Sequence, residues 1–320
     1  MSSAAFRRSW PAGLLLLASS SFVATAAHAQ AWLPDKGRGT FYLGYEYAQA
    51  HWTLLPYDVT GVVFTPYTGG PGDKIAEGEH YGQFITADLD YAVLRGLALT
   101  AHVAYVESRY DGLRPHKDET GQFVEADDGN DHGDFQDAEV GVHGTVLRAP
   151  FVATPFVAYH FPLGQYETIG HAAVGHGLQE VRIGAALGRS LRPFLPDAYG
   201  QLTYAYTLAE REAEHSIHRN GVDMELGYYV TSRLSLKGAA SWIRSSGGIE
   251  CSQEYKAQLF MHDALANERS WRVGGGAGYA LTPRYSLYVL GFGTIWGANT
   301  HAMNTFATGI GWNFDTPLAR

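Results

Sequence analysis

Cysteine is almost absent from the sequence: Cys251 stands alone among 320 residues, so no internal disulfide can form. Beyond the first thirty residues no apolar run approaches the ~18 residues of a membrane-spanning helix, which excludes a helical bundle in a bilayer. Basic residues are also scarce. There are 23 lysines and arginines against 32 aspartates and glutamates, a balance that argues against nucleic acid as a partner. A chain of this length without disulfides must draw its stability from a large core or from a closed sheet.

The opening stretch "MSSAAFRRSWPAGLLLLASSSFVATAAHAQ" sets Arg7 and Arg8 before an apolar run around Leu14–Leu17, then small residues and a cleavage point after Ala29. That is the order of a secretory signal peptide. The expected division is a signal peptide over 1–29 and a single domain over 30–320, bound for a bacterial envelope compartment. The first part takes away two arginines and no acid, leaving 21 bases against 32 acids, or −11.

What the chain has in abundance is glycine, with 38 residues, and tyrosine, with 20. The order of residues is more informative than the counts. In "TFYLGYEY", Phe41, Leu43, Tyr45 and Tyr47 share one face and Thr40, Tyr42, Gly44 and Glu46 the other. The same alternation runs through "ITADLDYAV", "LALTAHVAY", "DAEVGVHGTV", "EVRIGAALG" and "VDMELGYYV". A period of two over so many segments predicts strands with one apolar and one polar face. About twelve follow, near 38–53, 81–94, 97–108, 135–148, 150–162, 177–191, 197–210, 217–231, 234–246, 267–282, 285–297 and 303–314.

Their connections alternate between short ("LRG", "RAP", "RPFLP", "TSR", "TPR") and mostly long, polar ones. Short turns at one end and long loops at the other predict an all-β fold, a transmembrane antiparallel β-barrel of about twelve strands, in the cell outer membrane. Tyr91, Tyr229 and Tyr279 precede three of the short turns, where an aromatic girdle would sit, and Arg95, Arg233 and Arg284 lie on its wet side. In a barrel of this size the apolar faces meet lipid and the polar faces line the lumen. That assigns to the lumen Glu46, Asp88, Asp90, His102, Glu139, His143, Glu180, Arg182, Asp223 and Glu225, with Lys237 and Arg272 in later strands. The last strand, "NTFATGIGWNF", ends on an aromatic as a segment read by the barrel-assembly machinery would, although "DTPLAR" follows it.

Four places invite a chemical reading. Asp88 and Asp90 share a strand face, but the strand's direction puts them in the lower half of the lumen, away from the rim where a barrel hydrolase would work. "EHSIHRNG" (214–221) holds His215, Ser216 and His218, too close along the chain to converge as a triad. "EADDGNDHGD" (125–134) lacks the order of a calcium loop and reads as a solvated loop, with lipopolysaccharide phosphates as a softer partner through divalent cations. His171 and His176 are too isolated in sequence to be called metal ligands. No catalytic residue, metal site or cofactor is therefore expected. Pro155 removes a ladder donor inside a predicted strand and should mark a bulge, with a lateral opening towards lipid as the sharper alternative.

"GDFQDAEVGVHG", "YHFPLGQYETIG" and "GHGLQEVRIGAALGRSL" together resemble the outer-membrane transporter family linked to the meta-cleavage pathway of phenol degradation. Gly133, Asp134, Pro162, Gly164, Gly175 and Gly177 fall at positions comparable to that family's short motifs, and "TSRLSLKGAASW" looks like its turn. Glu180 departs from the aspartate common there. The resemblance implies a barrel that transports aromatic or other hydrophobic compounds, with no catalytic residue to carry over. A looser similarity to long-chain fatty-acid channels lacks an N-terminal plug segment of their kind. The expected function is passive uptake of small molecules, not catalysis, with outer-membrane lipid, lipopolysaccharide and a small solute as partners. An outer-membrane lipid or peptide hydrolase and a structural or adhesive surface barrel are the alternatives.

Overall fold

A computed structural model describes residues 31–54, 72, 74–75, 78–112, 121–122, 124–168, 170–212, 215–249 and 265–319; the expected signal peptide lies outside them. The strands are β1 (Arg38–Leu54), β2 (Lys74–Ile75), β3 (Gly78–Leu94), β4 (Leu97–Gly112), β5 (His132–Phe135), β6 (Ala138–Gly144), β7 (Val152–Phe161), β8 (Glu180–Ser190), β9 (Ala198–Ala209), β10 (Ile217–Tyr229), β11 (Leu234–Gly247), β12 (Arg269–Ala280), β13 (Tyr285–Ala298) and β14 (Thr300–Asp315). Each long strand pairs antiparallel with its neighbours in sequence, and β14 returns to β1 from Arg38↔Asp315 to Leu54↔Thr300, so the sheet closes. β5 and β6 both pair with β4 and act as one interrupted wall strand. With the two-residue β2 set aside, the barrel has twelve strands.

The two-residue period sorts the side chains as a membrane barrel requires. Ile85, Val157, Leu226 and Phe306 are half or more exposed on the outer face (56%, 51%, 56% and 50%), while Glu46 and Arg182 on the inner face are 1% exposed. A closed sheet leaves no backbone edge in the hydrocarbon, where each unpaired group would cost several kcal/mol. The repeated basic turns have a local cause. In the β10–β11 turn, Thr231 Oγ1 accepts from the backbone N–H of Arg233 (3.1 Å) and Leu234 (2.9 Å). Thr282 Oγ1 does the same for Arg284 (3.1 Å) and Tyr285 (3.0 Å) between β12 and β13. The threonine thus closes each short turn from its side chain and leaves the arginine in solvent.

Three details depart from the sequence expectation. The strand expected at 135–148 breaks at Gln136–Asp137: Tyr105 pairs with Phe135 but His102 with Glu139, so one extra residue sits on that side of the ladder. The connection expected between 297 and 303 narrows to Asn299, in the left-handed region at φ 56°. The β13–β14 ladder itself stops at Gly293↔Asn304, beyond which the end of β13 stays with β12 and the start of β14 with β1. The third is a phase error. Tyr228 faces outward, and Tyr229, expected in the girdle, turns inward to lie 5.9 Å from the ring of Tyr199.

Candidate functional site: the barrel interior

Strand register carries the polar residues singled out above to the inner face, where most are buried. They fall into short groups around the wall. Asp88 on β3 meets His102 on β4 at 2.6 Å, and Asp90 lies one inward position nearer the short-turn end. His143 on β6 bonds Thr100 at 3.2 Å and stacks on Phe156 at 5.1 Å. Glu139 takes His160 Nε2 at 2.5 Å and Arg182 Nη1 at 3.0 Å, while the guanidinium lies over Phe156 at 5.2 Å. Glu180 accepts from Arg219 and approaches His176 at 3.7 Å. On the far wall Glu225 joins Tyr199 Oη (2.7 Å) and Lys237 Nζ (3.5 Å). Asp223 lies one inward position from Glu225, and the carboxylates of Glu268 and Glu46 act on Arg272. Arg219 was not picked out from the sequence, although it shares its strand parity with Asp223 and Glu225.

The inner face is not uniformly polar. Tyr42, Tyr288, Leu290 and Ala307 form a buried cluster with Phe292 against it, spanning β13, β14 and β1. Tyr288 lies so close to β1 and β14 that a Cβ at Gly44 or Gly309 would stand 2.4 or 2.5 Å from its hydroxyl. The glycines there make room for the ring. On β10–β13 the inward positions Asp223, Ser241, Gly274, Gly276, Phe292 and Thr294 are only half-buried, whereas their counterparts on β1–β8 are mostly shut in. The accessible side of the interior is this small-residue stripe.

Two segments enter the interior, and neither was foreseen. At the short-turn end Ala31 donates its N–H to Gln201 Oε1 (2.9 Å) and accepts from Thr154 Oγ1 (2.6 Å). Trp32 meets Tyr199 edge-on at 5.7 Å, in space that a Cβ at Gly188 would fill. An N-terminal insert is thus present where the sequence showed no plug.

At the other end the β7–β8 connection (162–179) folds inward. Val174 packs among Ala48, Phe84, Ala104, Val106 and Met303. Ser108 Oγ donates to the Ala172 carbonyl at 2.5 Å, Gln136 Nε2 to that of Val174 at 2.7 Å, and the His171 N–H to Asp127 Oδ1 at 2.6 Å. Tyr166 bonds Asp137, and burial followed by that carboxylate pushes its phenol well above the usual tyrosine range. The apolar "AAV" inside a polar loop was the signal available for this element.

The other sequence candidates resolve as follows. His218 packs beside Tyr206 at 5.9 Å on the outer side of β10, and His215 closes a small turn with Glu212; Glu214 lies outside the described residues. Asp128 in the acidic loop is held by its own neighbours, Asn130 and His132, at 2.8 Å each. Pro155 pairs with Ala185 in a β7–β8 ladder without a register shift. On its β6 side the last ladder pair is His143↔Phe156 and the next bridge is Leu147↔Ala153, so residues 144–146 face only Thr154 and Pro155. The irregularity lies opposite the proline, beyond the end of β6, between paired ladders.

A closed twelve-stranded sheet with apolar residues outside and charged residues within defines an outer-membrane β-barrel. No protein-family model and no curated protein matches the chain. Among solved structures it is similar to the COG4313 outer membrane channel from Pseudomonas putida F1, with a TM-score of 0.63 at 12% identity over 88% of this chain and 97% of that one. The KdgM porin gives 0.42 at 8% identity over 85% and 99%, and the translocator domain of autotransporter NalP from Neisseria meningitidis 0.47 at 8% over 88% and 90%.

Proposed function

We propose that the protein is a passive outer-membrane channel for small molecules with an aromatic or other apolar body. The half-buried stripe on β10–β13, which includes the Phe292 ring packed on the buried Tyr42–Tyr288 cluster, carries this reading. The Phe292 ring offers an aromatic solute a flat apolar surface to stack on as it passes. Seven carboxylates among the inward residues named above (Glu46, Asp88, Asp90, Glu139, Glu180, Asp223, Glu225) outnumber four bases (Arg182, Arg219, Lys237, Arg272), which favours cations. Similarity to an outer membrane channel of low sequence identity supports the architecture, and the resemblance to transporters linked to phenol degradation supports the class of solute.

The test is uptake by vesicles containing the folded protein. Benzylammonium should enter faster than glucosamine, which carries the same charge on a polar body. Equal rates, or faster entry of the sugar, would refute the aromatic preference. If the same scaffold were a hydrolase working through the Asp88–His102 pair, a lipase or protease activity lost in a folded Asp88→Asn variant would support that alternative instead.

A further inference from the structure

We propose that His80, His171 and His301 form a site for a divalent transition-metal ion, zinc by its chemistry, which fastens the inward β7–β8 loop to the barrel wall. All three side chains are buried, and one ligand nitrogen from each lies within 4.8 Å of the others. They come from three separate parts of the chain. His80 opposes Ala50 and His301 opposes Thr53, so the two flank β1 from strands β3 and β14, and His171 descends from the loop. The rings are already gathered: His80 lies 4.1 Å from His301 and 5.5 Å from His171, centre to centre.

Two hydrogen bonds orient this set. Thr53 Oγ1 meets His301 Nδ1 at 3.0 Å, which turns Nε2 of that ring away from the threonine. His80 Nδ1 meets the His171 carbonyl at 3.2 Å, tying two members of the set to each other. Such outer partners fix the tautomer and direction of a ligating imidazole. Nitrogens around a tetrahedral zinc stand about 3.3 Å apart, given bonds of ~2.0–2.1 Å, so each imidazole needs to close by about 1 Å or less. A set of three imidazoles suits zinc, copper or nickel rather than calcium or magnesium, which prefer oxygen. Tyr110 packs against two of the imidazoles, its ring 4.8 Å from His80 and 4.4 Å from His171.

Binding would close a loop of wall and insert together: the ion would hold His171, next to the buried Ala172, Ala173 and Val174, against two strands of the mouth. The experiment is calorimetric titration of chelator-treated, detergent-folded protein with zinc chloride, with cobalt absorption as a second readout and hydrogen exchange at Ala172–Val174 as a third. Expected are one saturable zinc ion per chain, a tetrahedral-type visible cobalt spectrum, and slower exchange in the loop when zinc is bound. His171→Ala should lose the site while retaining the heat-shifted gel mobility of a folded barrel. Thr53→Val should bind about tenfold more weakly. Absence of saturable zinc binding, or binding equally tight in His171→Ala, would overturn the proposal, as would zinc that binds without changing loop exchange.

Discussion

Arg182→Met removes a charge that is almost fully enclosed in the interior. The guanidinium and its partner Glu139 have side chains 1% and 3% exposed, 3.0 Å apart. At that distance the attraction is about 5 kcal/mol with an effective dielectric of ~20, before the cost of desolvating both ions is subtracted. Much of that attraction is offset while both partners are present. Removing only one leaves a buried carboxylate whose desolvation cost stands, and the loss should be about 3–5 kcal/mol. His160 stays 2.5 Å from Glu139 and will soften the effect, which places the expected value near the lower end. Unfolding in urea from lipid vesicles, followed by tryptophan fluorescence, measures it. Glu139→Gln should cost a comparable amount, since it leaves Arg182 without that carboxylate. The double variant should lose at least ~2 kcal/mol less than the sum of the two, because neither charge is then left behind. Additivity within ~0.5 kcal/mol would refute a coupled pair. So would an Arg182→Met variant as stable as the parent.

Ile85 sits near mid-strand on the outer face, so Ile85→Arg should cost about 2–4 kcal/mol in vesicles, and a loss under ~0.5 kcal/mol would show that this face does not meet acyl chains. Burial alone would raise the Asp128 carboxyl, but hydrogen bonds from His132 and Asn130 outweigh it and bring the group from 3.8 to about 2. A depressed carboxylate steadies its loop above the unfolded value and stops doing so as pH falls from about 4 to about 2. Amide exchange at Asn130 should therefore accelerate over that window, beyond the intrinsic pH trend, and Asp128→Ala should show the faster exchange at every pH.

How much of this was legible beforehand depends on how local the signal is. A period of two needs only neighbouring residues, so strand positions and faces could be read for Glu46, Asp88, Glu139 and Asp223 alike. The same rule fails where one extra residue slips the phase, as at Gln136–Asp137. Proximity to the turn is likewise no guide at Tyr229, which has the inward parity while Tyr228 has the outward one. Alternation says nothing about where a loop goes once it leaves the sheet. The inward path of 171–174 rests on Ser108, Gln136 and Asp127, the gathering of His171 on His80 and His301, and the seat of Trp32 on Gly188 and Tyr199, all of them distant in sequence. Asn299 closed a connection in one residue that had been allotted several.

Planar-bilayer recording of the folded protein under a potassium chloride gradient tests the channel most directly. The parent should give small, cation-selective steps, and deletion of residues 31–33, which withdraws Trp32 from the short-turn end, should enlarge them without reversing the selectivity. Inserted, heat-modifiable protein that conducts nothing in either form, or that prefers anions, would contradict the account.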